Sequence, residues 1–74
     1  MARVMIAGWV TGFEKVACTH LLQELAGCGL AAAKGATDRI LAREAVVVST
    51  ASDDMAVELA ARLVALGAHA KVMQ

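Results

Sequence analysis

The sequence predicts an α+β domain of order β-α-α-β-α-β, with a three-stranded, mainly antiparallel sheet and three helices on one face. Three observations predict it. Two short stretches, residues 3–8 and 45–50, carry the period or composition of strands. The segments after them carry apolar residues at helical spacing. Glycines stand at the changeovers, at Gly27, Gly29 and Gly67.

Taken in order, Val4, Ile6 and Gly8 alternate with Arg3, Met5 and Ala7, so residues 3–8 read as a half-buried strand. Gly8 and Gly12 flank Trp9-Val10-Thr11 and mark a loop. From Phe13 or Glu14 the period changes: Ala17 or Cys18, Leu21, Leu22 and Leu25 fall on one helical face, with Lys15, Thr19 and Gln23 along another line. Gly27-Cys28-Gly29 stops this helix, because glycine accepts the left-handed conformation that closes a helix end. A second helix is expected from Leu30 to about Ala42, with Leu30, Ala33, Thr37, Ile40 and Leu41 on one face and Lys34, Asp38 and Arg39 on another. Gly35 within it costs about 1 kcal/mol relative to alanine.

Ala45 to Thr50, with Val46-Val47-Val48 at its heart, is the clearest strand. Ser52 is a good N-cap, and Asp53 and Asp54 put negative charge where the helix dipole favours it. The third helix is expected from Asp53 to Leu66, with Asp54, Glu58 and Arg62 four residues apart on its polar line. Gly67 ends it, and Ala68, Ala70 and Val72 alternate with His69, Lys71 and Met73 in a last strand.

The chain is 74 residues long and reads as one domain, residues 1–74, with no linker, low-complexity tract or internal repeat. Seven Lys+Arg balance seven Asp+Glu. That balance argues against a nucleic-acid partner, which needs clustered cations, and against a polybasic membrane anchor. Seventeen alanines account for most of the high apolar fraction, and Trp9 and Phe13 are the whole aromatic complement. Val, Leu and Ala must therefore build the core. Cys18 and Cys28 are too few for a disulfide scaffold and read as reduced, small apolar residues. No apolar run approaches the ~18 residues of a spanning helix. Leu25-Ala26-Gly27-Cys28 has the form of a lipoprotein cleavage box, but Glu14, Lys15, His20, Gln23 and Glu24 interrupt the apolar segment such a box requires. A cytoplasmic location is expected.

Lys15-Val16-Ala17 followed by Gly27-x-Gly29-Leu30-x-x-Ala33-Lys34 resembles the first helical hairpin of the C-terminal domain of the bacterial ribosomal stalk protein. Ser52-Asp53-Asp54, Ala56, Glu58-Leu59, Leu63 and Leu66-Gly67-Ala68-x-Ala70-x-Val72 resembles that domain's third helix and last strand. The resemblance runs from about Lys15 to Met73 and implies the fold derived above. It also implies a function: in that family the first two helices engage translational GTPases. The family's contact positions fall on Lys15, Thr19, His20, Leu30, Ala32 and Lys34, of which Lys15, Leu30 and Lys34 keep the family's residue type. Thr19 stands for a larger aliphatic residue, His20 for a lysine and Ala32 for a glutamate, and Gln23 stands where a basic residue is usual. These changes shrink the apolar contact and thin the cations that would steer an acidic partner. The family's N-terminal dimerisation segment and hinge have no counterpart here, so a free-standing paralogue or an excised domain is expected.

The Clp-protease adaptor family shares this architecture, and its longer connection between second helix and second strand fits this chain better. Thr11-Gly12-Phe13-Glu14 is similar to that adaptor's Thr-Pro-Met-Glu. Gly8, Trp9 and Val10 stand where the adaptor's acidic pair grips a free amino terminus, and Leu41 stands near its histidine.

No catalytic or metal constellation emerges from spacing. Cys18 and His20, two apart on a helix, point about 200° apart. Gly27-x-Gly29 follows a helix rather than a strand and lacks the Lys-Ser/Thr of a phosphate loop. Asp53-Asp54 reads as cap and dipole chemistry. The expected function is a non-catalytic protein–protein interaction domain, without cofactor or metal, docking a partner through Lys15, Thr19, His20, Gln23, Leu30 and Lys34. Two alternatives stand beside it. One is a small homo-oligomer that buries the open sheet side carrying Arg3, Met5, Ala7, His69, Lys71 and Met73, with Trp9 at its edge. The other is an adaptor delivering substrates to a protease.

Overall fold

In a computed structural model describing residues 2–73, the alternating N-terminal segment forms the central strand β1, Ala2–Trp9. Antiparallel to it on one side lies β2, Val46–Thr50, in the register Ala2↔Thr50 to Ile6↔Val46. On the other side lies β3, Ala68–Met73, also antiparallel, giving the order β2-β1-β3. The helices are α1, Lys15–Leu25; α2, Leu30–Leu41; and α3, Asp53–Ala65. The α+β order read from the sequence is the observed one, with boundaries shifted by one or two residues.

Period-two burial puts Val4 and Ile6 of β1 and Val46 and Val48 of β2 under the helices. Against them pack Cys18, Leu21 and Leu22 of α1, Ala33 and Ile40 of α2, and Ala56, Leu59 and Leu63 of α3. Full burial of one such leucine or isoleucine contributes about 1.5–3 kcal/mol, so a handful of residues supplies most of the driving force. Arg3, Met5 and Ala7 point to the opposite, helix-free side.

The helix ends follow local chemistry. The hydroxyl of Ser52 accepts the amide of Met55 at 3.2 Å, capping α3, whose first turn carries Asp53 and Asp54. Gly67, at φ +100°, stops α3 and donates to the Val64 carbonyl at 3.0 Å. The end of α2 is less ordinary. Arg43 donates to the Ile40 carbonyl and Glu44 to the Arg39 carbonyl, at 3.0 and 2.9 Å, which is a Schellman closure with arginine in the position glycine usually holds. Arg43 has φ 65°.

Trp9 corrects the sequence reading. Strict alternation puts it beside Met5 on the open sheet side, in a loop. Instead it is the last residue of β1, and the register with β3 passes from Ile6↔Ala70 to Trp9↔Ala68. Three steps along β1 match two along β3, so one residue is extra. Gly8, at φ +92°, accommodates this bulge. The bulge turns Trp9 onto the face of buried Ala68, where its Nε1 donates to the Leu41 carbonyl at 3.1 Å and its ring stacks on Phe13 with centroids 6.2 Å apart.

Candidate functional site

The α1–α2 hairpin holds a groove of about 390 Å³, with Lys15, Val16 and Thr19 on one wall and Lys34, Thr37, Asp38 and Leu41 on the other. Its walls follow from helix periodicity. Lys15 and Thr19 are one turn apart on α1, and Lys34, Asp38 and Leu41 share one line of α2.

Two threonines close the floor. Thr19 Oγ1 and Thr37 Oγ1 lie 2.8 Å apart, with Thr19 within 3.1 Å of the Lys15 carbonyl and Thr37 within 3.0 Å of the Ala33 carbonyl. Thr37 Oγ1 also approaches the buried Cys18 sulfur at 3.7 Å. Burial pushes the Cys18 thiol above its ordinary pKa of 9.0, opposed by the smaller effect of the Thr37 hydrogen bond. The floor is thus internally satisfied.

The rim is where charge is available. Lys15 and Lys34 are exposed and, among the described residues, neither lies within ion-pair distance of an acidic group; the ion pair there is Glu58–Arg62 on α3, at 2.8 Å. Val16, 64% exposed, adds apolar surface between them.

The six residues expected to bind a partner do not form one patch. Lys15, Thr19 and Lys34 meet in this groove. His20 lies around α1, lining a second groove of about 430 Å³ against α3 with Ala17, Leu21, Glu24, Arg62 and Leu66. Gln23 is half-buried further along α1, and Leu30, 57% exposed, projects from the start of α2; neither lines either groove. Val16, Thr37, Asp38 and Leu41 are the groove residues the sequence reading did not select. A valine on the outward line of α1, three residues before Thr19, was the available signal.

Among the described residues, no three His, Cys, Asp or Glu side chains gather as a metal site. No helix there is long and apolar enough to cross a membrane. On the open sheet side Met5 sits between Val47 and Lys71, with Arg3, Ala7, His69 and Met73 around it. No protein-family model and no curated protein matches the sequence.

Proposed function

We propose that this chain is a non-catalytic, cytoplasmic protein–protein interaction domain, of the kind the ribosomal stalk C-terminal domain exemplifies, which docks a protein partner on its α1–α2 hairpin. The observation that carries the reading is the placement of Lys15 and Lys34 on facing walls of one groove, both unpaired among the described residues, around an apolar rim of Val16 and Leu41. The Thr19–Thr37 floor leaves no buried side-chain polar atom unsatisfied, so the groove makes no polar demand at depth. A partner engages at the rim, through contact with Val16 and Leu41 and through the lysine charges, which favour an acidic surface. By resemblance, a translational GTPase is the first partner to try. Gln23 and Leu30 lie outside this groove, and His20 faces the separate groove against α3.

The test is charge reversal. Partners captured from lysate, and a purified translational GTPase, are titrated with wild type and with the Lys15→Glu/Lys34→Glu variant. Loss of binding by tenfold or more, with the loss shrinking as salt is raised, supports the site. Equal binding of every partner by both proteins removes it.

A further inference from the structure

We propose that this protein pairs with a second copy of itself through the free edge of β2, joining two three-stranded sheets into one of six strands around a two-fold axis. The order β2-β1-β3 leaves two edges, and they are not alike. The β3 edge carries His69 and Lys71, and a lysine is one of the residues that guard a free edge. The β2 edge reads Val46-Val47-Val48-Ser49-Thr50, with no charge, no proline and no register irregularity against β1. Alternate backbone N–H and C=O groups of an edge strand have no partner within the sheet, and an antiparallel copy of the same strand satisfies them.

The surface beside this edge suits the same event. A groove of about 400 Å³ runs between β2 and α2, lined by Val46, Val47, Val48, Ala32, Gly35 and Arg39. Gly35 is helical and exposed, and a Cβ built on it meets nothing within 4 Å. No close approach among the described residues calls for a glycine there, although it weakens the helix by about 1 kcal/mol relative to alanine. Close passage of another backbone, the second copy's α2, gives it a use.

Charge selects a second copy and sets its direction. Arg39 lines the groove at the start of β2, while its neighbour Asp38 faces the other groove of α2. Arg43 at that end is held on Trp9, and Glu44 is exposed. Just beyond the other end of β2 stand Asp53 and Asp54, exposed in the first turn of α3. Antiparallel pairing lays the start of each β2 beside the end of the other, which places Arg39 of each copy toward Asp53 and Asp54 of its mate. Parallel pairing would oppose Arg39 to Arg39.

Sedimentation equilibrium of the full chain across micromolar concentrations tests this, with a thermal melt on each variant. Wild type is expected to reach twice the 7.6 kDa monomer mass. Gly35→Arg and Val47→Lys are each expected to return it to the monomer mass. Gly35→Arg, which has open space in the monomer, should do so without lowering Tm in dilute protein. Arg39→Glu should weaken dimerisation at least tenfold, and adding Asp53→Arg to it should restore part of the loss. A wild-type chain that stays at the monomer mass overturns the proposal. So does a dimer that ignores Gly35→Arg but is lost on Met5→Glu, which would place the contact on the open sheet side, where Val47 also points and Val47→Lys would act as well.

Discussion

The guanidinium of Arg43 lies 4.4 Å from the centroid of the Trp9 ring, and its Nη1 donates to the Trp9 carbonyl at 2.9 Å. These residues are 34 apart in sequence, and the contact fastens the end of α2 to the end of β1. It also occupies a backbone conformation that arginine does not favour: the left-handed region costs a side chain with a Cβ about 1–2 kcal/mol. The clamp on Trp9 offsets that cost.

Separating clamp from strain is therefore possible at one position. Arg43→Ala keeps the strain and removes the clamp, and is expected to lower stability by about 1–2 kcal/mol. Arg43→Gly removes both and should recover about 1 kcal/mol of that loss. Urea denaturation followed by circular dichroism reads the order. An alanine variant as stable as the glycine variant would show that φ at Arg43 carries no strain.

Two glycines should respond to alanine with opposite signs. A Cβ on Gly67 would lie 3.1 Å from Phe13 Cα, at a φ of +100°. That neighbour is backbone, held by the bonds Val10 N–H to Gly67 carbonyl and Glu14 N–H to Leu66 carbonyl, at 2.8 and 3.1 Å. Gly67→Ala should lose about 1–3 kcal/mol. Gly35→Ala, in open space within a helix, should gain about 0.5–1 kcal/mol in dilute protein. Thermal melts of the two variants beside wild type check both signs.

The Cys18 thiol gives stability a defined alkaline limb. Its pKa in the folded chain is raised by burial, so the folded state holds the proton after the unfolded state has released it. The resulting stability is fully present below the ordinary value of 9.0 and is lost as pH rises through the higher folded value. Urea midpoints measured on both sides of that value should fall more steeply for wild type than for Cys18→Ala. Parallel slopes would mean that the thiol is not desolvated. In the native state a thiol reagent should modify half-buried Cys28 before Cys18.

The threonine pair under the groove should behave as a coupled unit. Thr19→Val leaves Thr37 its Ala33 carbonyl, and Thr37→Val leaves Thr19 its Lys15 carbonyl, so neither single change strands the other hydroxyl. A double-mutant cycle on unfolding free energy should return a coupling of about 0.5–1.5 kcal/mol. A coupling of zero would mean that the 2.8 Å contact adds nothing to joining the two helices.

The element order was legible in the sequence because each element declares itself locally. The alternation of Val4 and Ile6 with Arg3 and Met5, the valine run of β2, the Ser52 cap and the stops at Gly27 and Gly67 act over a few residues and need no tertiary partner. The outward position of Lys15 and Lys34 was legible for the same reason, since both stand on the polar lines of amphipathic helices, whereas their choice as contact residues came from the resemblance alone. Tertiary structure decided the rest. Whether Trp9 belonged to the open sheet side or the core depended on one extra residue at Gly8, and a bulge is set by pairing with β3, nearly sixty residues away. Arg43 carries no local sign of its role, since its partner ring lies on another element. The six hairpin residues likewise share a helix pair but not a surface, because α1 packs against both α2 and α3, and Thr19 and His20, about 100° apart around it, enter different grooves. Short-range periodicity fixes which face of a helix is buried; only packing fixes which neighbour that face meets.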